Sequence, residues 1–420
     1  MLAPAACGDD STVTAFTVWA FEERTGAPGQ SPDAPLAGAE VAFDPPGGGT
    51  RVIARTAVDG HVTFEGDFTR GGASITLYDR DHVLVSAVQA SPDTARARAN
   101  AIGKPESDLV MFAPRLDEAL RRNTIEVRGA LLSKRDAATT VDLAASGIPR
   151  QGSVTTTDAT YALRAPPGRP FFMIGHETRN LVNEPGNVEN EHIASFRAEV
   201  AAAQVDTVLD VDIASARSLT TVAVRLRAEL PLQPTSPFGA GSRASATVIS
   251  ADSRMLVAPI RSVHMAADGR AFDLAMTVAQ TDIAPERPLT RVSLVAPDGS
   301  RSLRFEPGIV ADGAIWNDFP VPPFVSEASR SLGEPLPLED FPAAADLLVE
   351  IYAGTQLAWI ISGPPGGLRE KSVTVPSPLE IRLPALVVAS FIAQMDREVL
   401  APRGEVFRRV AISRDVLMRR

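Results

Sequence analysis

PLAGAEVAF (residues 35–43) and RTAVDGHVTF (residues 55–64) alternate apolar with polar side chains on both sides of an Asp-Gly pair. Asp59-Gly60 between two alternating segments is a strong local signal for a β-hairpin turn. Gly60 supplies the positive φ angle that such a turn requires. The two segments therefore predict paired β-strands that bury one face.

A weaker copy of this pattern occurs at residues 127–131 (VRGAL) and 156–163 (TTDATYAL), and it ends in APPG at residues 165–168. Two such units in tandem predict small β-sandwiches along one chain, an architecture that binds or spaces more often than it catalyses. The 34 proline and 30 glycine residues are spread between short apolar runs, where they mark frequent turns. We predict an all-β fold class of tandem Ig-like or transthyretin-like β-sandwich domains.

The length of 420 residues is compatible with several domains. Strand density and turn signals predict five segments along the chain. These are residues 1–12 as an N-terminal tether, 13–120 as the first β-sandwich, 121–215 as a second, diverged β-sandwich, 216–325 as a third, and 326–420 as a linker with a smaller β-rich domain. The pattern leaves open whether the last region folds alone or packs on the third unit.

Charge and hydropathy exclude two classes of function. The formal net charge of −10 argues against nucleic acid as a partner, because clustered Lys and Arg must neutralise phosphates there. The longest apolar stretch, residues 383–395, contains Pro384 and is shorter than the roughly 20 residues that a transmembrane helix needs. This stretch predicts a buried strand or a short helix.

The only cysteine, Cys7, lies in LAPAACG at residues 2–8. This context resembles the end of a bacterial lipoprotein signal, where small residues lead into a cysteine that is lipidated and becomes the mature N-terminus. The six residues before Cys7 lack the basic and apolar regions of a signal peptide. Two interpretations remain: lipid attachment at Cys7 with residues 1–12 as a lipoprotein-like tether, or a free cysteine in an N-terminal tail.

Three stretches of the first unit carry a family resemblance: PLAGAEV at 35–41, TAVDGHVTF at 56–64 and GGASITL at 71–77. This unit resembles the carboxypeptidase regulatory-like family, a transthyretin-type seven-stranded sandwich. The second unit resembles the family less closely, since Asp158-Ala159-Thr160 replaces its turn. The resemblance implies an extracytoplasmic protein whose sandwich is a scaffold or binding module without catalytic residues of its own.

Metal-ligating side chains concentrate in one polar segment: His176, Glu177, Glu184, Glu189, Glu191 and His192. Such a set could ligate zinc or calcium in a loop. However, no His-Glu-x-x-His helix is present, and Pro185 with Gly186 interrupts the segment. We favour a solvated loop before a helical segment at residues 194–203, and we keep a metal site at His176, Glu177 and His192 as the alternative.

The sequence offers no catalytic set. It has no Gly-x-Ser-x-Gly motif, and we interpret His61, His82 and His264 as strand-surface or half-buried side chains. Asp79 and Asp81 are predicted to lie in a charged turn. We therefore predict no catalytic residues, no cofactor and no enzymatic activity.

The three tryptophans differ in context. Trp19 and Trp359 lie in apolar alternations and are predicted to be core residues. Trp316, within ADGAIWNDF at residues 311–319, is flanked by polar residues and is the better candidate for an exposed ligand contact.

Together, these patterns predict a non-enzymatic bacterial cell-envelope lipoprotein, anchored in the outer membrane, whose β-sandwich domains act as a scaffold or bind a protein or glycan partner. Two alternatives remain open. One is a carbohydrate-binding or adhesin module that uses Trp316. The other is a metal-dependent hydrolase that uses the segment from residue 176 to residue 192.

Overall fold

The computed structural model describes residues 14–22, 34–90, 108–116, 119, 124–146, 153–184, 186–250, 256–258, 260–280, 288–322, 330–331, 346–363, 386–400 and 404–419. Strands dominate these residues, which confirms the predicted all-β fold class. The strands form four units, named here first to fourth in chain order.

The first unit is a two-sheet sandwich with one short 3-10 helix, Phe68–Arg70. Its strands are β1 Thr14–Glu22, β2 Ala34–Pro35, β3 Glu40–Asp44, β4 Val52–Arg55, β5 His61–Gly66, β6 Ala73–Tyr78, β7 Leu84–Ala90 and β8 Leu109–Ala113. One sheet of the sandwich contains β2, β1, β5 and β8. The other sheet contains β4, β3, β6 and β7, in that order.

The second unit contains a hairpin of two long strands, β13 and β14. Its strands are β9 Ile125–Leu132, β10 Thr140–Ala145, β11 Ser153–Thr156, β12 Thr160–Ala165, β13 Phe171–Glu184, β14 Asn187–Val200, β15 Thr207–Val208 and β16 Val211–Asp212. One side has the order β11-β10-β13-β14, and β9 lies at the centre of the other side.

The third unit follows the same plan. Its strands are β17 Arg217–Ser218, β18 Thr221–Glu229, β19 Arg243–Ser250, β20 Leu256–Ala258, β21 Ile260–Met265, β22 Ala271–Ala279, β23 Pro288–Val295, β24 Arg301–Pro307 and β25 Ala314–Trp316. The fourth unit consists of β26 Arg330–Ser331, β27 Asp346–Ala353, β28 Gln356–Gly363, β29 Leu386–Leu400, β30 Gly404–Ile412 and β31 Val416–Arg419.

The first three units share one arrangement around their first long strand. β1, β9 and β18 each pair antiparallel with a later strand of the same unit, which is β5, β12 or β22 respectively. Each also pairs in parallel with a strand near the end of its unit, which is β8, β15 or β25. The chain therefore repeats one sandwich topology three times.

Backbone pairing continues from one unit into the next. The tip of the β13–β14 hairpin pairs with β21, with Asn187 opposite His264, and this produces a nine-stranded sheet through the second and third units. The fourth unit joins β24 through β30 and joins β7 through β28, which yields a 14-stranded sheet. The fourth unit thus pairs with both the third and the first units.

Each unit buries its own apolar cluster. Phe16 and Ile75 lie in the first cluster, Met173 in the second, Phe272 in the third and Trp359 in the fourth, all 2% exposed or less. The third cluster also receives Phe172 and Ile174 from the second unit. The predicted segment boundaries at residues 120, 215 and 325 stay predictions.

The turn at Asp59-Gly60 has the predicted backbone conformation, and the Asp268-Gly269 and Asp298-Gly299 turns of the third unit share it. Gly60, Gly269 and Gly299 have φ angles of +86°, +65° and +90°. A Cβ atom at Gly60 would also lie 2.6 Å from the carbonyl oxygen of Ala20. Turn geometry and close packing both require glycine at this position.

A second close approach lies inside the second unit. Leu209, between β15 and β16, crosses over Gly129 of β9, and its carbonyl oxygen accepts a 2.7 Å hydrogen bond from the Tyr161 hydroxyl. A Cβ atom at position 129 would overlap that carbonyl group. The absence of a side chain at Gly129 therefore permits the parallel pairing of β9 with β15 and β16.

We expect Gly129→Ala to lower the free energy of unfolding by about 2–3 kcal/mol, because backbone must shift to relieve the overlap. Gly239→Ala is the control, since a Cβ atom there would meet nothing within 4 Å. It should change stability by no more than about 0.5 kcal/mol. Urea denaturation measures both values, and equal effects would refute the packing argument.

Candidate functional site

The polar segment from residue 176 to residue 192 is a strand hairpin rather than a loop. His176 lies on β13 with 0% exposure, and the neighbouring Glu177 is 1% exposed. The predicted solvated loop is therefore wrong for these two residues. The predicted helix at residues 194–203 is also wrong, because β14 continues to Val200. Neighbouring apolar residues Phe172 and Ile174 pack against the third unit, so both faces of this part of the hairpin are covered.

The carboxylates at the distal end of the hairpin interact with basic side chains. Glu191 accepts a 3.0 Å hydrogen bond from Arg179, and Glu189 lies 3.5 Å from the Nε2 atom of His264. Glu184 is exposed near the turn. These contacts distribute the predicted acidic ligands along the hairpin rather than around one point.

Ser195 lies between the two histidines of the segment. Its Oγ atom is 2.8 Å from Nδ1 of His176 and 2.8 Å from Nε2 of His192. A hydroxyl group has one proton and can also accept hydrogen bonds, so it can donate to one ring and accept from the other. This arrangement links β13 to β14 on the face that turns towards the third unit.

Glu177 points to the opposite face of the sheet, since successive side chains of a strand alternate. Its Oε1 atom accepts hydrogen bonds from Thr139 Oγ1 at 2.6 Å and from the backbone N–H of Arg135 at 2.8 Å. Thr139 is 0% exposed. The carboxylate therefore fixes the connection between β9 and β10 from inside the second unit.

The predicted metal ligands His176, Glu177 and His192 are thus divided between two faces. Within the described ranges, no group of three or more His, Cys, Asp or Glu side chains is arranged to hold a metal ion. Ser195 is 3% exposed, so a substrate has no access to its hydroxyl group. The chemistry that this site supports is hydrogen bonding between strands.

The electrostatics of the site favour uncharged side chains. Burial lowers the pKa of His192, and the nearby charge of Arg261 lowers it further. Burial raises the pKa of Asp142, which is opposite His176 on β10, although a hydrogen bond from Thr155 opposes this shift. Protonation of His192 is therefore unfavourable in the folded protein.

Trp316 lies in the core, and its predicted exposure in a loop is wrong. The residue is in β25 and is 4% exposed. The Arg304 guanidinium lies 4.5 Å above its ring centroid, and the Phe319 ring lies 6.4 Å from it. The polar residues that flank Trp316 in the sequence suggested exposure. In the structure Arg304, from β24, covers the indole, and the local sequence does not indicate this contact.

Sequence reasoning missed a buried ionic cluster in the first unit. His82 Nδ1 is 2.6 Å from Asp79, and its Nε2 atom is 3.2 Å from Glu22, which also accepts a 2.7 Å hydrogen bond from Arg115. Burial opposes a charge on His82, but hydrogen bonds with Asp79 and Glu22 outweigh it and raise its pKa. Glu22 is 60 residues from His82 in sequence, so no local pattern indicated the contact.

Two further sequence predictions concern the membrane. Cys7, the predicted site of lipid attachment, lies outside the described residues. In the part of the chain that the structure describes, no helix has the length and apolar character to cross a bilayer.

No protein-family model matches this chain, and no curated protein matches it in sequence. The resemblance to the carboxypeptidase regulatory-like family therefore stays a prediction.

Three solved structures show distant similarity. The TIE protein of Bacillus anthracis has 9% identity and a TM-score of 0.17, over 73% of this chain and 49% of that chain. The fimbrial protein FimP from Actinomyces oris has 10% identity and a TM-score of 0.19, over 72% and 96%. Invasin, a bacterial integrin-binding protein, has 9% identity and a TM-score of 0.11, over 95% and 78%. This chain spans about half the length of the TIE protein, and TM-scores this low carry no argument about function.

We expect Glu177→Ala to lower the free energy of unfolding by about 2 kcal/mol, because Thr139 and the Arg135 N–H lose their buried acceptor. Glu177→Gln keeps an acceptor oxygen and should lose less. Glu184→Ala, on the exposed end of the same hairpin, is the control and should change stability by no more than about 0.5 kcal/mol. Thermal and urea unfolding measure the series, and an equal loss for Ala and Gln would contradict this role.

His192 and His82 should give pH dependences of opposite sign. The folded-state pKa of His192 is lowered, so the unfolded chain binds the proton more readily, and stability falls as the pH drops through about 6.5. The folded-state pKa of His82 is raised, so its stabilisation is complete below about pH 6.5 and is lost as the pH rises through the folded value.

Relative to the wild type, the unfolding free energy of His192→Gln should therefore be highest at acid pH. That of His82→Gln should be lowest there. Unfolding free energies measured between pH 5 and pH 9 test both differences. If the stability difference from the wild type changed with pH in the same direction for both variants, the assigned pKa directions would be refuted.

Proposed function

We propose that this protein is a non-enzymatic scaffold or binding protein of the bacterial cell envelope. The observation that carries this proposal is the continuous backbone pairing between units, which includes a 14-stranded sheet through the first, fourth and third units. Strands that are hydrogen-bonded across unit boundaries hold the units in fixed relation. Such a body is suited to presenting its loops and sheet faces to a partner.

The polar clusters support a role in architecture. Ser195, His176 and Glu177 are buried and bonded to neighbouring strands, and each connects elements of the second unit. The alternative of a metal-dependent hydrolase at residues 176–192 has less support, since its ligands point to opposite faces. The alternative of a glycan contact at Trp316 has less support because the indole is covered by Arg304.

A broad hydrolase screen tests the non-enzymatic proposal directly. Purified protein should show no turnover above a protein-free blank on ester, peptide, phosphoester and glycoside substrates. Robust activity on any of these substrates would overturn the proposal.

The proposed membrane anchor is a lipid at Cys7. We expect full-length protein expressed in a bacterium with its native upstream region to incorporate labelled palmitate and to sediment with membranes. Cys7→Ala should lose the label and appear in the soluble fraction, because the chain then has no thiol to acylate. Equal labelling of the two proteins, or membrane association of Cys7→Ala, would contradict the anchor.

A further inference from the structure

One face of the third unit has an unusual composition for this acidic chain. Alternate residues of three adjacent strands point away from the apolar cluster there and form what we name the basic face: Arg243, Ser245 and Thr247 of β19, Arg291, Ser293 and Val295 of β23, and Arg301, Leu303 and Phe305 of β24. The intervening residues Ala246, Val248, Val292 and Leu294 belong to the cluster on the other face. The basic face contains three arginines and no acid.

The arginines of the basic face have no acidic partner among the described residues. Arg243 and Arg301 are exposed, and Arg291 is half-buried. Other arginines of the third unit do form ion pairs, such as Arg227 with Asp273 and Arg304 with Glu306. Burial lowers the pKa of Arg291, as expected for a guanidinium that loses water without gaining a counter-charge. An anionic group bound here would compensate that charge.

Strand register fixes the spacing of these charges. Arg243 and Arg301 are both in register with Val295 from opposite sides, so their backbones are about 10 Å apart. Arg291 lies four residues from Val295 along β23, a separation of about 13 Å. Ser245 and Ser293 are opposite each other between the two levels of arginine. The face therefore presents cations at both ends of a pair of hydroxyl groups.

This arrangement fits an extended, hydrophilic polyanion. Guanidinium groups bind carboxylate and sulfate oxygens through two parallel hydrogen bonds, and serine hydroxyls bond to sugar hydroxyls. A protein partner or a lipid bilayer would instead need large exposed apolar anchors. The apolar residues of the basic face, Val295, Leu303 and Phe305, are only partly exposed, and none of the exposed large apolar side chains of the described residues lies there.

We propose that the basic face binds an acidic polysaccharide, with Arg243, Arg291 and Arg301 on its anionic groups. This inference rests on the proposed binding role and assigns it a site and a ligand class. The binding is electrostatic in origin and weakens as the ionic strength rises.

The test measures binding of full-length protein to polygalacturonate and to dextran sulfate, with neutral dextran as the uncharged comparison. A variant with Arg243, Arg291 and Arg301 changed to Gln should bind either polyanion at least about tenfold more weakly than the wild type. The matched control changes three exposed arginines elsewhere, Arg128, Arg225 and Arg270, to Gln. It has the same net charge and should bind within about twofold of the wild type.

The double variant with Arg243→Gln and Arg301→Gln leaves the half-buried Arg291 intact. A loss of polyanion affinity in this variant therefore does not come from misfolding around Arg291. Circular dichroism of each variant provides the fold check. The inference is overturned if both triple variants lose affinity equally, if neutral dextran binds as well as the polyanions, or if only anionic lipid vesicles or polyglutamate bind. These outcomes are separate from the hydrolase screen and the acylation test, which decide the proposed function.

Discussion

Open strand edges are the constraint on which the rest of this structure depends. Each sandwich would by itself present an edge of unpaired N–H and C=O groups, and such edges recruit other strands. The fourth unit satisfies two of these edges by pairing β28 with β7 and β30 with β24. The indole N–H of Trp359 adds a 3.0 Å hydrogen bond to the Ser86 hydroxyl at the first of these junctions. The sheet is thereby continuous across units, and their relative positions follow from its register.

Buried polar groups then select which strands meet. The hydrogen bonds of Ser195 with His176 and of Glu177 with the β9–β10 connection join different elements, so they require the observed register. Unsatisfied, each group would cost about 1–3 kcal/mol, so alternative pairings of the hairpin are disfavoured. The His82 cluster has the same effect on the ends of β1 and β8. In this protein, residue types associated with catalysis specify architecture.

The fold class could be predicted from the sequence because it depends on local patterns. The alternation around Asp59-Gly60 and the positive φ angle of Gly60 are properties of a few adjacent residues. The hairpin of β13 and β14 could not be predicted, because the burial of its polar side chains depends on packing against other strands and the third unit, and Glu177 is bonded to Thr139, 38 residues away. Trp316 illustrates the same limit, since its cover, Arg304, belongs to a different strand. Local chemistry determined the strands and turns, whereas long-range contacts determined burial.

The pairing of β28 with β7 has a consequence for biosynthesis. The Trp359–Ser86 hydrogen bond joins residues 273 positions apart. At a ribosomal elongation rate of about 5–20 residues per second, β7 is complete roughly 15–55 s before its neighbour has been made. During that interval the nascent first sandwich has a free edge that can recruit another polypeptide. Holdase chaperones that shield this edge until the C-terminal region emerges would therefore raise the yield of correctly assembled protein.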